Sequence, residues 1–261
     1  MISQGWLLKT VVFAILGAIL VPLLAVIGVS FNPTSRFVLA TTAISLRWYA
    51  EFWSRREFID ALFLVSLPLA IVSAMLATVT GTLAAIALVR FRMRGRDFLE
   101  TTFMIPILIP SILLGLALYL FSARLGLAGR FGTLVVGHML IGIPFVVRVV
   151  VAALVGVNPA LEEAAISLGC TRVQAFRKVV IPLLRSSVLS GAIFAFILSF
   201  SDVNVALFVS GPTTNTMPLE IFSEIQWQGD PTIAAASTVQ IVVVTLLILA
   251  AQRLTRARIT F

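Results

Sequence analysis

The chain has little charge and few of the residues that build metal, disulfide or nucleotide sites. Only 11% of its 261 residues are charged and 60% are hydrophobic, whereas about a quarter are charged in a typical soluble domain. A water-soluble fold is therefore not expected. The single cysteine, Cys170, cannot form an internal disulfide, and no Cys/His spacing predicts a metal site. The only lysines, Lys9 and Lys178, lack the preceding glycines of a phosphate-binding loop. No cofactor site is expected in this chain.

What the sequence does contain is a set of long apolar runs. Four uncharged runs reach the roughly 20 residues that a helix needs to cross the hydrocarbon core: 10–31, 61–89, 101–123 and 232–252. Two more, 131–147 and 186–201, meet Arg148 and Asp202 and continue apolar beyond them; a buried soluble helix is the alternative for either. Backbone polar groups inside a bilayer must be hydrogen-bonded within the protein, which restricts membrane-spanning segments to helices or closed barrels. The runs lack the alternation of apolar and polar residues that is typical of barrel strands. The pattern predicts an all-α membrane protein with six transmembrane helices.

The placement of Lys and Arg predicts the orientation, because positively charged loops are retained in the cytoplasm. With the N-terminus inside, twelve basic residues lie on the cytoplasmic side: Lys9, Arg90, Arg92, Arg94, Arg96, Arg172, Arg177, Lys178, Arg185, Arg253, Arg256 and Arg258. Six lie outside: Arg36, Arg47, Arg55, Arg56, Arg124 and Arg130. Both termini are therefore predicted to be cytoplasmic. On this interpretation, the net charge of +8 reflects the basic loops on the cytoplasmic side and favours contact with anionic lipid headgroups. It does not indicate nucleic-acid binding.

Three regions follow from this topology. Residues 1–60 are predicted to hold the first transmembrane helix and an external segment. A short helix at the membrane surface is expected in that segment, since Leu46, Tyr49, Ala50 and Trp53 recur at helical spacing. Residues 61–255 hold five transmembrane helices and a cytoplasmic loop at 158–184. Residues 256–261 form a cytoplasmic tail.

The loop at 158–184 has the signals of two short helices. Asn158 can cap the first, with Pro159 in its first turn and Gly169 as its stop. Thr171 and Gln174 form a capping box for the second helix, which we expect to break near Pro182. Small apolar stripes lie on each helix, and their residues are Leu161, Ala164, Ala165 and Leu168, then Val173, Phe176 and Val180. Such a pair suits a groove on another protein; a helix lying on the bundle surface is the alternative.

The same loop carries a motif of fixed spacing. Glu163-Ala164-Ala165 is followed after three residues by Gly169, and after nine more by Val179-Val180-Ile181-Pro182. This resembles the signature of inner-membrane permeases of ABC importers, which is Glu-Ala-Ala, three residues, Gly, nine residues and Ile-x-Leu-Pro. Val replaces Ile and Ile replaces Leu. The resemblance covers about residues 61–253 and implies the type I ABC importer permease fold. It also implies ATPase coupling by Glu163, Ala164, Ala165, Gly169, Phe176 and Pro182.

A polar cluster marks the end of the fifth span. Ionisable groups within a span usually face a cavity or a partner, so Ser199, Ser201, Asp202 and Asn204 are candidate residues of the solute pathway. The alternative is that they simply end the span near the headgroups. His138 stands alone in an apolar stretch and is expected to be a packed or hydrogen-bonded core histidine. Arg148 is expected to extend to the cytoplasmic interface.

Several stretches resemble the spermidine/putrescine branch of this permease family. They are Ser45-Leu46-Arg47-Trp48-Tyr49, Phe103-Met104-Ile105-Pro106 with Pro110, Ser199-Phe200-Ser201-Asp202, and Gly211-Pro212-Thr213-Thr214 through Leu219 to Ile221. That branch commonly has a second acid after the first, whereas Val203 follows Asp202 here. The resemblance implies polyamine transport. Asp202, Glu220, Glu224 and Asp230 offer anionic sites at the external end of the pathway, and the alternative is that they are ordinary solvated loop residues. Related branches carry iron(III), phosphonates, opines or thiamine.

The resemblance also implies an assembly in the bacterial inner membrane. Its expected partners are a pair of ATPase subunits that hold ATP and Mg²⁺, a second and different permease chain, an external solute-binding protein and membrane lipid. The chain itself is expected to be non-catalytic. A secondary transporter or channel is the rival class, but no inverted repeat or relay of intramembrane acids is visible. A membrane scaffold without transport would leave the coupling motif unexplained.

Overall fold

The computed structural model describes residues 3–35, 43–91, 93–227 and 229–256, and all regular secondary structure in these ranges is helical. The helices are α1 Ser3–Ser30, α2 Arg47–Ser54, α3 Arg56–Arg90, α4 Arg96–Leu108, α5 Ser111–Arg124, α6 Phe131–Gly156, α7 Pro159–Ser167, α8 Arg172–Ser201, α9 Asn204–Val209, α10 Met217–Trp227 and α11 Thr232–Arg256. Arg36, Arg92 and Arg258, which entered the charge count, and residues 257–261 of the predicted tail lie outside the described residues.

Within the described residues, five helices are long and apolar enough to cross a membrane: α1, α3, α6, α8 and α11. The pair α4 and α5 makes a sixth crossing when it is taken as one bent span. The structure therefore confirms the predicted all-α membrane fold, with five to six spans.

The run at 101–123, however, is not one continuous helix. It is divided between α4 and α5, which meet at an angle of 101°. Proline disfavours a helical conformation in the residue before it, and Ile109, which precedes Pro110, is extended at φ −86° and ψ 132°. Pro110 then stands at the N-terminal boundary of α5. Apolar length indicated the crossing correctly, and the Ile109–Pro110 step accounts for the bend.

Helices α3, α6 and α8 form the main core through small residues. A methyl group added at Gly81 of α3 would lie 2.8 Å from Val146 Cβ of α6. Gly142 of α6 fits between Ala77 of α3 and Ala195 of α8, each 3.1 Å from the position of an added Cβ. Close backbone approach through small residues is the usual way that helices associate in lipid, where apolar burial gives little drive.

The described residues fall into two compact units. One comprises residues 1–60 and 220–245, and the other comprises 61–219 and 246–261. In the first unit, Trp48 and Phe52 are the buried residues of α2. Trp48 Nε1 donates to the carbonyl of Asn32 at 2.6 Å, and the hydroxyls of Tyr49 and Ser30 lie 2.7 Å apart. These bonds attach α2 to the end of α1.

The short helix predicted in the external segment is present as α2, but its buried face differs from the predicted stripe. Leu46, which precedes the helix, and Ala50 and Trp53 are exposed, and Tyr49 is half-buried. The apolar positions that sequence spacing selected therefore face outward, which is the arrangement expected of a helix lying on a membrane or partner surface. Helix α1 likewise exposes its apolar side chains, including Phe13 and Ile19.

Candidate coupling surface and membrane cavity

Helix α7 has well-defined ends. Asn158 Oδ1 accepts from the backbone N–H of Ala160 at 3.0 Å, and Pro159 occupies the first turn, where a missing N–H costs nothing. At the other end Gly169 has φ +93°, and its N–H donates to Ile166 while that of Cys170 donates to Ala165. Both end signals predicted from the sequence are therefore found in the structure.

The segment after the turn departs from the prediction. The capping box is formed, because Gln174 N–H donates to Thr171 Oγ1 and Gln174 Oε1 accepts from Thr171 N–H. The helix then continues without a break to Ser201, so the expected end near Pro182 is wrong. A π-helical segment at Phe176–Val180 precedes the proline, and Ile181 N–H donates to Phe176 O. This local change in bonding lets the helix pass a residue without an N–H.

The predicted coupling residues occupy a largely exposed surface. Glu163, Ala164, Gly169 and Pro182 are exposed, whereas Ala165 and Phe176 are half-buried. The apolar stripe of α7 is also uncovered, with Leu161 at 48% and Leu168 at 88% exposure. Large apolar side chains exposed beside a polar surface indicate a site of protein contact.

Arg90, which sequence reasoning did not select for a role, contacts both parts of this loop. Its Nη1 lies 2.7 Å from Glu162 Oε2 of α7. The same guanidinium lies 5.7 Å from the ring centre of Phe176 in α8. Arg90 is in the last turn of α3 and Glu162 in the first turn of α7, where each charge is favourable for the dipole of its own helix.

A cavity of about 580 Å³ opens where two helices are interrupted. One interruption is the turn between α4 and α5, and the other is the extended residue Asp202 between α8 and α9. The lining residues are 106–111, Ile141, Phe145, Ile197, Leu198, Ser201, Asp202 and Asn204. Asn204 Nδ2 donates to Ser111 Oγ at 2.9 Å and so connects the two interruptions.

Three of the four predicted pathway residues line this cavity: Ser201, Asp202 and Asn204. Ser199 instead lies buried in the bundle, with its Oγ 2.9 Å from both Ser73 Oγ and His138 Nδ1. The polar side chains of α3, α6 and α8 are thus joined through Ser199. His138 is the packed, hydrogen-bonded residue that its apolar surroundings predicted.

Asp202 combines a structural position with a position on the cavity wall. Its Oδ2 accepts from Val205 N–H at 2.8 Å and caps α9. It is also the one charged residue among those that line the cavity. Both interpretations made from the sequence, an end to the span and a pathway residue, therefore fit the same side chain.

Two of the other acids considered as anionic sites are already paired. In the first compact unit, Arg55 contacts Glu224 at 2.6 Å, Asp230 at 2.7 Å and Glu51 at 3.3 Å. Burial alone would lower the pKa of Arg55, but the hydrogen bond with Glu224 and the charges of Asp230 and Glu224 raise it. Glu224 of α10 and Asp230 of the segment after it are therefore both held at the end of α2 by Arg55.

This architecture is that of a known family. Residues 77–261 match the family described as the inner membrane component of binding-protein-dependent transport systems. The match covers well over half of the chain, and the protein belongs to this family as a permease subunit of an ABC importer. It is accordingly a multi-pass protein of the bacterial inner membrane.

Individual relatives and a solved structure agree with this assignment. The spermidine/putrescine permease PotC of Escherichia coli K12 is 32% identical over 243 residues, which are 93% of this chain and 91% of PotC. The putrescine permease PotI of the same strain is 33% identical over 83% of this chain and 79% of PotI. The crystal structure of a bacterial alginate ABC transporter, in complex with an alginate pentasaccharide-bound periplasmic protein, has a chain that matches with a TM-score of 0.75. That match is 18% identical over 98% of this chain and 96% of the other, and it confirms the permease fold.

Proposed function

We propose that this permease carries polyamines across the membrane through the cavity at Asp202, and that α7 couples it to a separate ATPase. The observation that carries the proposal is the joint presence of an exposed motif surface on α7 and a cavity whose one charged residue is a carboxylate. The first provides a contact for a motor, and the second provides a site that favours a cationic solute.

The coupling surface supports docking for a structural reason. Helix α7 is short, capped at both ends and continuous with the bundle through the turn at Gly169, so its position is defined before any partner binds. Preorganised surfaces lose less entropy on association than flexible ones. Its small residues, Ala164 and Ala165, allow a partner to approach closely, while Leu161 and Leu168 supply apolar area.

The polyamine cargo is proposed from the negative charge of Asp202 and from sequence similarity to known permeases. A carboxylate within a transmembrane segment is costly unless it faces a polar cavity or a partner, and Asp202 lines a cavity with Ser201 and Asn204. PotC is named as a permease for spermidine and putrescine and PotI as one for putrescine, and both solutes are organic cations. We extend that substrate class to this chain, with the rest of the wall apolar enough to accept the methylene segments of a polyamine.

The proposed assembly contains two ATPase subunits with ATP and Mg²⁺, a second and different permease chain, and an external binding protein. The exposed apolar face of α1 provides surface for lipid and for the second permease. Both termini of this chain are assigned to the cytoplasm, which puts α7 on the side where ATP is available. Chemistry in the cycle is confined to the ATPase, and this chain transmits movement between alternate access states.

Reconstitution tests the proposal. The chain is purified together with the ATPase, second permease and binding protein that the proposed assembly requires and is placed in liposomes that contain ATP. We expect uptake of radiolabelled spermidine or putrescine that depends on all four components. Uptake of iron(III), a phosphonate, an opine, thiamine or sulfate in place of polyamine would overturn the cargo assignment. Uptake without the ATPase would overturn the coupling assignment.

Variants of Asp202 distinguish the effect of its negative charge from the effect of the hydrogen bond by which it caps α9. Asp202→Asn retains an oxygen that can accept from Val205 N–H and removes the negative charge, whereas Asp202→Ala removes both. We expect Asp202→Asn to keep the thermal stability of the complex and to lower the polyamine uptake rate at saturating substrate about tenfold. Asp202→Ala should also lower the stability. Full uptake by Asp202→Asn would show that the carboxylate serves only as a cap.

A further inference from the structure

Helix α7 is attached to the transmembrane core in two ways, by packing against α8 and by an ion pair with α3. Helix α7 packs against the beginning of α8, to which it is joined in sequence by the turn at Gly169. A second attachment joins it to α3, where Arg90 Nη1 lies 2.7 Å from Glu162 Oε2. Glu162 is largely buried, with a side-chain exposure of 18%, so the ion pair is partly shielded from solvent.

Arg90 also contacts the start of α8. Its guanidinium lies over the ring of Phe176, and that ring packs against the core formed by α3, α6 and α8. An arginine side chain is suited to this position, because its planar group can stack on an aromatic ring with one face and bind a carboxylate at its edge. One residue therefore holds α3, α7 and the beginning of α8 together.

We propose that Arg90 is a positioning residue that makes α7 move together with α3, so that displacement of α7 by the ATPase reaches the core as well as α8. The inference rests on the proposed coupling role of α7. Without this ion pair, α7 loses its charged link to α3 and relies more on the adjoining loop and α8. Part of its displacement is then lost as movement of α7 relative to α3, and ATP is hydrolysed without a complete movement of the spans.

The test compares coupling in complexes with altered charge at this site. The variants are Arg90→Gln, Arg90→Lys, Glu162→Arg, and the exchanged pair Arg90→Glu with Glu162→Arg. Arg94→Gln is the matched control, since Arg94 is exposed on the loop after α3 and pairs with no carboxylate in the described part of the chain. It removes the same positive charge from the same side of the membrane.

The decisive quantity is the number of ATP molecules hydrolysed for each cargo molecule imported. We expect Arg90→Gln and Glu162→Arg to raise this ratio at least threefold. Arg90→Lys should give a smaller increase, and the exchanged pair should return toward the wild-type ratio. Arg94→Gln should leave it unchanged. A general loss of folded protein lowers both rates together and does not change the ratio, so the ratio reports coupling.

Hydrogen–deuterium exchange of the same complexes gives a second measurement that does not depend on transport. We expect Arg90→Gln to accelerate amide exchange at least threefold in residues 160–168, with little change in α6. Unchanged exchange and a ratio equal to that of Arg94→Gln would refute the role of Arg90. If the wild-type complex lacks cargo-stimulated ATP hydrolysis, that result refutes the proposed coupling function of α7 and not the attachment by Arg90. Faster exchange in Arg90→Gln would then still establish the attachment itself.

Discussion

At Gly169, the effect of backbone conformation on the coupling loop can be tested separately from the effect of side-chain crowding. Its φ of +93° is unfavourable for residues with a Cβ, yet no atom lies within 4 Å of the position that a Cβ would take. A substitution there therefore changes the turn and does not crowd a neighbour. Placing an L residue in this region costs roughly 1–2 kcal/mol, most for a β-branched one and least for Asn.

We predict that Gly169→Val leaves membrane insertion intact and abolishes cargo-stimulated ATP hydrolysis and uptake, with Gly169→Asn intermediate. The matched control is Gly126→Val, because Gly126 also has positive φ, +69°, and open space around it. It lies between α5 and α6, at the other end of α6 from α7. The measurement is ATPase activity and uptake in reconstituted complexes. Normal uptake by Gly169→Val would exclude the coupling role of this turn.

Residue-level signals were informative where the interaction is local. Asn158, Thr171 and Gln174 act within three residues of their partners, so their capping bonds could be predicted from the chain itself. Arg90 and Glu162 are distant in sequence, and neither stands in an unusual pattern. Only the arrangement of α3 and α7 brings them together, so the motif, which assigns Glu163, gave no indication of this pair.

At the scale of helices, long apolar runs indicated where the chain crosses the membrane but not how each crossing is made. Pro22, Pro144 and Pro182 lie within helices that continue past them. The Ile109–Pro110 step, by contrast, coincides with a bend of 101°. The position of α5 after this bend also depends on packing, because at Gly115 an added Cβ would be 3.0 Å from backbone atoms of Asn204 and Val205. A helix position that tight is set by its neighbours, not by its own sequence.

The core of α3, α6 and α8 gives a prediction about stability. Gly81→Ala places a methyl group 2.8 Å from Val146 Cβ and 2.9 Å from its Cγ1, which forces the two helices apart. Overpacking of this kind costs about 1–3 kcal/mol. We expect a fall of several degrees in the Tm of the detergent-solubilised complex, measured by tryptophan fluorescence, and partial recovery when Val146→Ala is added.

Gly132→Ala is the control for this prediction. It introduces the same methyl group on α6, where no atom lies within 4 Å, and alanine has the higher helix propensity. Its Tm should equal or exceed that of the wild type. Equal Tm values for Gly81→Ala and Gly132→Ala would show that α3 and α6 are not held at the close distance described here.

At the scale of the whole molecule, the excess of Lys and Arg on one set of loops predicts orientation in the membrane. The loop after α3 carries Arg94 and belongs to the predicted cytoplasmic set, whereas Arg124 and Arg130 near the loop between α5 and α6 belong to the external set. Positively charged loops are retained on the cytoplasmic side during insertion. If the loop after α3 is cytoplasmic, the loop between α5 and α6 is external. Helix α6 then crosses back, so α7 also lies on the cytoplasmic side.

Cysteine labelling tests this orientation. In a Cys170→Ser background, Asp97→Cys and Ala128→Cys each add one thiol at an exposed site, and neither change alters a basic residue. We expect a membrane-impermeant maleimide added to spheroplasts to label Ala128→Cys at least tenfold faster than Asp97→Cys. Inside-out vesicles should reverse the order. The opposite result would place α7 outside the cell, away from any ATP, and coupling to a cytoplasmic motor would be physically impossible.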